Sequence, residues 1–313
     1  MRNFFTTFCL SLFSIFLFAQ NTIPVRELEV EIQDSIPVQM EESRDSLKLI
    51  DDYLKIAQYR RALELLNRIN LTDSFVLLEK KVVIYEATQK YSLALACYES
   101  LIQLDPTSDY YRIQKANALY ICEKIKPALA LYEELCDSCD NVYLLKRIAM
   151  CYEKLNDERR ARYHYARALD QDTTDAYATA SLAKLLIKAG QYGLAKFVSD
   201  RYIAFDSTYN TINSLNAYAY YNLEMYGEAA QRFEKCLQRG DSSLFVTRGL
   251  GTTYFFMEND SLANPMLELA YKADTTNSQV LYALAQTFFN LDKYPEAIKY
   301  YEILLEKDIP SDY

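Results

Sequence analysis

The chain has 313 residues, of which 50% are apolar and 25% are charged, and its formal net charge is −9. This supply of apolar side chains is enough to bury a core, and the length by itself would fit about two globular domains of roughly 150 residues each. The acidic excess argues against a nucleic-acid partner, because a phosphate backbone requires a basic surface. Anionic membranes would repel the mature chain for the same reason, so no direct membrane binding is expected.

Residues 1–20 carry a pattern typical of a secretory signal peptide. Arg2 is their only charge, and a Phe- and Leu-rich apolar run follows it. The run is shorter than the roughly 20 residues that span a bilayer, which favours cleavage near Ala19 over retention as an uncleaved anchor. Cys9 is not preceded by a lipobox. We therefore expect an exported protein that is periplasmic or otherwise associated with the cell envelope.

Residues 21–42 contain two prolines and scattered acids without a helical period. This segment is predicted to be a flexible acidic linker between the signal and the folded part of the chain.

An alanine recurs about every 34 residues through the rest of the chain. In five of the eight copies an aromatic residue follows it by four positions, and in the last six copies another small residue precedes it by twelve. Apolar residues at i, i+4 and i+7 predict one helix, here helix B, and the earlier small position belongs to a preceding helix A. The recurring alanines are Ala62, Ala94, Ala128, Ala161, Ala195, Ala229, Ala263 and Ala297.

This pattern resembles the tetratricopeptide repeat (TPR) family, in an exported bacterial-type form. Residues 91–106, YSLALACYESLIQLDP, carry the family's helix B pattern with its terminal proline, and residues 293–308 repeat all but the proline. The family's tryptophan is absent, and Ile50 and Val82 replace the small residue of helix A in the first two copies. The resemblance implies an all-α, right-handed solenoid of about eight helix-turn-helix repeats over residues 43–311. The repeats are expected to start near residues 43, 75, 109, 142, 176, 210, 244 and 278.

The resemblance also implies a binding groove, because helix A lines the inner surface in this family. From Tyr110 onward, the corresponding positions hold seven tyrosines, four phenylalanines, five bases and the single acid Glu153. Such a surface suits an extended or helical protein segment, with aromatic anchors and bases that pair with acidic groups. Alternatively, some of these aromatics pack between adjacent helices A. The candidate partner-binding residues are Tyr110, Asn117, Tyr143, Lys146, Tyr177, Lys184, Lys188, Tyr218, Tyr221, Phe245, Arg248, Phe255, Tyr282 and Phe289.

The expected function is a non-catalytic scaffold for protein–protein interaction in the cell envelope. The alternative is a self-assembling structural envelope protein. No polar capping helix follows the last repeat, so its end, near Ile309, is either a homo-oligomer contact or a frayed end.

Six cysteines remain after signal cleavage and allow 15 disulfide connectivities. Repeat phase places Cys97, Cys151 and Cys236 in the helical core. Cys136 and Cys139 form a C-x-x-C pair, for which a structural disulfide is favoured over free thiols and over redox or metal chemistry. Its acidic neighbours oppose the electropositive setting of a reactive thiol.

Catalytic motifs are lacking. The only histidine, His164, lies in a predicted helix B without a Ser or Cys motif, and the chain has no phosphate-binding loop or further zinc-ligand spacing. We expect no enzymatic activity, no cofactor and no metal.

Overall fold

The computed structural model of the protein describes residues 38–69, 74–136 and 141–306, with side chains from residue 46 onward. All regular elements in these ranges are α-helices, and the chain divides into two compact units, residues 1–69 and 70–313. None of the described helices is both long enough and apolar enough to cross a membrane. The predicted signal peptide, Cys139 and Ile309 lie outside the described residues.

The described part of the first unit is a pair of packed helices, α1 (Val38–Lys55) and α2 (Tyr59–Arg68). Ile50 of α1 and Ala62 and Leu66 of α2 are buried. Helix α1 begins within the segment 21–42 that the sequence predicted to be linker. The physical reason is local, since residues 38–42 contain no proline or glycine and are mostly good helix formers.

The described part of the second unit consists of seven helical pairs, each with a first helix A and a second helix B. The helices A begin at the 33- or 34-residue spacing of the alanine pattern. The bounds are α3 (Phe75–Ala87), α4 (Tyr91–Leu104), α5 (Asp109–Ile121), α6 (Ile125–Cys136), α7 (Val142–Lys154), α8 (Glu158–Gln171), α9 (Ala176–Lys188), α10 (Tyr192–Phe205), α11 (Asn210–Asn222), α12 (Tyr226–Gln238), α13 (Leu244–Phe256), α14 (Asp260–Ala273), α15 (Ser278–Asn290) and α16 (Tyr294–Glu306). The prediction of an all-α repeat solenoid is confirmed.

The core follows from the repeated residues. All eight recurring alanines are buried, and an alanine has no side chain beyond Cβ, so the neighbouring helix can approach closely. The aromatics that follow four positions later fill the space beside them. Tyr132, Tyr165 and Phe233 are fully buried, whereas Tyr301 in the last pair is half-buried. The sequence-based interpretation of these positions as core is confirmed.

The helices A of the last four pairs lie closer together than the helices B. Helices α9, α11, α13 and α15 pack against one another in succession, and no comparable packing joins consecutive helices B in the described part of this unit. In a curved stack of repeats the elements on the inside of the curve come closest together. The helices A of these four pairs therefore lie on the inside of the curve, and their helices B lie on the outside.

Candidate functional site

The candidate partner-binding residues all lie on helices A, and none of them is buried in the core. Half of them are exposed, namely Tyr110, Tyr143, Tyr177, Lys184, Lys188, Tyr282 and Phe289. The others are half-buried, namely Asn117, Lys146, Tyr218, Tyr221, Phe245, Arg248 and Phe255. Nine of these residues lie on two different surfaces, one on α5 and α7 and one on α11 and α13, and the other five lie on α9 and α15.

The surface on α5 and α7 is a network of polar contacts within the protein. The Asn117 Oδ1 atom accepts hydrogen bonds from the hydroxyls of Tyr132, at 2.5 Å, and of Tyr143, at 2.8 Å. The Arg147 Nε atom donates to the Tyr132 hydroxyl at 3.0 Å, and the guanidinium lies 4.9 Å from the ring centre of Tyr120 and 5.9 Å from that of Tyr143. Burial raises the pKa of Tyr132, so its hydroxyl stays protonated. Asn117 and Tyr143 are therefore already engaged.

Helix B contributes to this surface in a way that sequence reasoning missed. The Tyr165 hydroxyl donates to Glu153, the only acid among the predicted groove positions, and Tyr98 donates to Glu86 at 2.7 Å. A buried tyrosine hydroxyl needs a hydrogen-bond partner. The sequence does contain a signal for these hydrogen bonds: the residue four positions after the recurring alanine is a tyrosine in these repeats and not a phenylalanine.

Most of the basic residues predicted for the groove pair with acids of the protein itself. Lys146 forms an ion pair with Asp175 that is largely shielded from solvent. Lys188 pairs with Glu158, where the lysine is exposed and the contact is easily exchanged, and Lys154 pairs with Glu123 in the same way at 3.1 Å. The side chains of Lys184 and Arg248 make no hydrogen bond or ion pair within the described residues. The positive charge available to a partner is thus concentrated on these two side chains.

The surface on α11 and α13 is a group of contacting rings, here called the aromatic wall. Tyr218 of α11 lies 5.5 Å from Phe245 of α13, centre to centre, so the predicted packing of aromatics between adjacent helices A occurs here. The rings of Tyr226 and Phe256 are stacked at 5.4 Å, and 51% of the Phe256 side chain is exposed. The wall consists of Tyr218, Tyr221, Tyr226, Phe245, Phe255 and Phe256.

Two members of the wall, Tyr226 and Phe256, are missing from the candidate list, and Tyr226 is the one that does not lie on a helix A. Tyr226 is the first residue of α12, and the centre of its ring lies 5.8 Å from that of Tyr221. A tyrosine also begins helix B in α4, α10 and α16, which was the signal for this position. The wall is only half-covered by the protein, so its rings can still contact a ligand.

The remaining candidate residues do not form a site. Cys97, Cys151 and Cys236 are buried, as predicted, and are free thiols in the described part of the chain. Burial raises the pKa of Cys151 to about 12 and of Cys236 to about 11. His164 stacks on Tyr152 with 5.5 Å between the ring centres, and its buried Nδ1 atom has no hydrogen-bond partner among the described residues. The Cys136–Cys139 disulfide stays a prediction. No group of three potential metal ligands occurs among the residues that the structure describes.

The geometry defines a helical-repeat solenoid whose inner groove carries half-buried aromatic rings. Residues 77–108 and 279–308 match family models described as tetratricopeptide repeat. Together with the architecture, these matches identify tetratricopeptide repeats in this chain. No curated protein is significantly similar to it.

Several solved structures share the fold at low sequence identity. The C-terminal part of a TPR repeat-containing protein from Cytophaga hutchinsonii is 15% identical, with a TM-score of 0.62, covering 76% of this chain and 99% of that one. A tetratricopeptide repeat protein from Parabacteroides merdae is 14% identical, with a TM-score of 0.54 and coverage of 76% and 94%. YrrB, described as a TPR protein with an unusual peptide-binding site, is 20% identical, with a TM-score of 0.52 and coverage of 59% and 96%.

Proposed function

We propose that the protein is a non-catalytic scaffold that binds a segment of another protein in the inner groove formed by α9, α11, α13 and α15. The observation that carries the proposal is the position of the two unpaired cations. Lys184 lies on α9 and Arg248 on α13, and α11, with Tyr218 and Tyr221, lies between them. The peptide-binding site of YrrB supports a role of this kind for the fold.

The spacing of these groups describes the partner segment. Adjacent packed helices lie about 8–10 Å apart, so roughly 16–20 Å separates the axes of α9 and α13. An extended chain advances about 3.3 Å per residue. Two carboxylates separated by about five residues would therefore reach Lys184 and Arg248 together, and an apolar or aromatic residue between them would pack on the aromatic wall.

Affinity capture from detergent-solubilised cell envelope tests this proposal. The bait is residues 21–313, compared with a Lys184→Glu/Arg248→Glu variant. The matched control is Lys124→Glu/Lys126→Glu, which makes the same change of charge at exposed positions outside the groove. We expect the unchanged protein and the control to retain the same partner and the groove variant to lose it. Equal recovery by all three would refute the groove as the binding site.

We also propose that the protein is exported and acts in the cell envelope. The support is the signal-like pattern of residues 1–20. Buried cysteines with raised pKa values are compatible with an oxidising compartment, because the thiolate is the reactive species. The mass of the protein isolated from a bacterial host is the test. Loss of about 20 N-terminal residues supports cleavage, whereas the full mass in the membrane fraction indicates an anchor, and the full mass in the cytosol contradicts export.

A further inference from the structure

Helix α10 carries apolar side chains on two faces, of which only one is covered. Ala195, Ser199 and Tyr202 face the core and are buried. On the outer face, Leu194, Phe197 and Phe205 are 55%, 63% and 67% exposed. A helix that is apolar on both sides is normally buried on both sides. We name the three exposed residues the outer α10 stripe.

The stripe has the dimensions of a helix contact. Its residues are spaced i, i+3 and i+11, which places them on one face over about 17 Å, at 1.5 Å per residue. It does not continue onto α12, where Gln231 stands in place of Phe197, and on α8 Arg160 and Gln171 stand in place of Leu194 and Phe205. The α8 residue equivalent to Phe197 is Tyr163, which is also exposed.

The charges beside the stripe are mainly basic, in contrast to the acidic chain as a whole. Arg201 lies within the stripe, and Lys235 on α12 and Arg167 on α8 occupy the equivalent position of their repeats. Arg159 and Arg162 add two more cations on α8. The side chains of Arg201, Lys235, Arg159 and Arg162 make no hydrogen bond or ion pair within the described residues.

The acids of the same three helices are engaged or lie at helix ends. Asp200 accepts hydrogen bonds from Lys196, Arg232 and Asn216, each at 3.0 Å. Glu158 pairs with Lys188, and Glu234 accepts from Tyr254. The others are Asp170, in the last turn of α8, and Glu228, in the first turn of α12. The middle of this outer surface therefore presents uncompensated positive charge around an apolar stripe.

We propose that the outer α10 stripe binds an amphipathic helix of a partner protein, with an apolar seam bordered by aspartates and glutamates. The apolar seam covers Leu194, Phe197 and Phe205, and the acidic borders meet the bases of α8, α10 and α12. A second copy of this chain fits poorly, since pairing two stripes would bring one Arg201 and its basic surroundings against the other. A membrane fits poorly because the stripe is narrow and the chain carries a charge of −9. This site is independent of the groove.

A designed peptide tests the proposal with the whole mature chain. The probe is a fluorescent, alanine-based helical peptide of about 18 residues, with leucines at i, i+3, i+7 and i+11 and glutamates on both sides of them. A second peptide carries lysines in place of the glutamates. We expect the acidic peptide to bind, by fluorescence anisotropy, and the lysine peptide to bind at least about tenfold more weakly. Failure of the acidic peptide to bind would overturn the proposal.

Variants then locate the site. Phe197→Ser and Arg201→Glu should each weaken binding of the acidic peptide about tenfold or more, while circular dichroism shows that the helices are kept. Ile298→Ser, which removes an exposed apolar side chain from α16, outside both the stripe and the groove, should leave binding unchanged. Loss of binding in the Lys184→Glu/Arg248→Glu variant would assign the peptide to the groove instead. Phe197-dependent binding to vesicles of phosphatidylcholine and phosphatidylserine, without peptide binding, would replace the protein partner with a membrane.

Discussion

The same contact between consecutive repeats is built in two different ways in the two halves of the second unit. In both halves, the aromatic residue that follows the recurring alanine meets the sixth residue of the next helix A. Tyr132 meets Arg147, whose Nε atom lies 3.0 Å from the tyrosine hydroxyl. Phe233 meets Gly249, where an added Cβ atom would lie only 2.3 Å from the phenylalanine ring. Both aromatic side chains are fully buried.

The difference explains why the two halves of the groove differ. A buried hydroxyl requires a polar partner, and the arginine that supplies it fills the space between the repeats and binds neighbouring tyrosines. A phenylalanine ring requires no partner, so a glycine can stand opposite it and the helices approach closely. The first half is thus occupied by its own polar contacts. The second half leaves aromatic rings and Arg248 available to a ligand.

Adding a methyl group at the close contact should have the largest effect. Gly249→Ala would place Cβ within 2.8 Å of three atoms of the Phe233 ring, so we expect a loss of about 3 kcal/mol in the free energy of unfolding. Gly227→Ala is the matched control, since nothing lies within 4 Å of its Cβ. It should be neutral or stabilise by up to about 1 kcal/mol. Urea unfolding measures both, and equal effects would contradict the close contact.

Replacing Phe233 by tyrosine and Tyr132 by phenylalanine should lower the free energy of unfolding by unequal amounts. Phe233→Tyr would push a hydroxyl into the backbone at Gly249 and bury it without a partner, at a cost of about 2 kcal/mol or more. Tyr132→Phe would lose the hydrogen bonds to Arg147 and Asn117, at about 1 kcal/mol. The same urea experiment applies. A larger loss for Tyr132→Phe would show that the polar contact is the tighter of the two.

The regular features of this fold could be predicted from the sequence because they repeat. Ala161 and Ala195 are buried for the same reason, which is the close approach of the two helices of a pair. Because the same requirement recurs in all eight copies, it is visible in the sequence. The pairing of Lys146 with Asp175 was not predictable in this way. The two residues belong to different repeats, and their contact depends on the distance between α7 and the start of α9. The binding-site prediction included both engaged and free bases for the same reason.

Substituting one arginine in each half tests whether the first half is structural and the second half binds a partner. Arg147→Met removes a hydrogen bond and ring contacts, so we expect a loss of about 1–2 kcal/mol in stability. Arg248→Met removes a cation without a partner among the described residues, and its stability should change by less than about 0.5 kcal/mol while partner binding weakens. Hydrogen exchange should show faster opening around α5 and α7 in the first variant alone. Equal destabilisation would mean that Arg248 is also a packing residue.

The smallest predicted effect is a pH dependence, which belongs to the first half because the only histidine lies there. Burial and, to a lesser extent, Arg167 lower the pKa of His164 below its usual value of about 6.5. The unfolded chain then binds more protons than the folded one between these two pKa values. Stability is therefore lost as the pH falls from about 6.5 through the pKa of the folded state.

His164→Phe isolates this effect, because phenylalanine can keep the stacking on Tyr152 but does not titrate. Relative to the variant, the unchanged protein should lose stability between about pH 7 and pH 5. A stability difference that stays constant over this range would show that His164 does not titrate differently on folding.

The sequence by itself determined the architecture of this protein. A small residue at a fixed period, with apolar residues at helical spacing around it, can be buried only if helices pair and the pairs stack. Through the resemblance that the period revealed, it also predicted which helix of each pair faces the groove. Only the tertiary structure decided which groove residues are free. Whether Lys184 is unpaired and Lys146 is paired depends on distances between repeats, which arise when Tyr132, Phe233 and their partners set how closely successive helices pack.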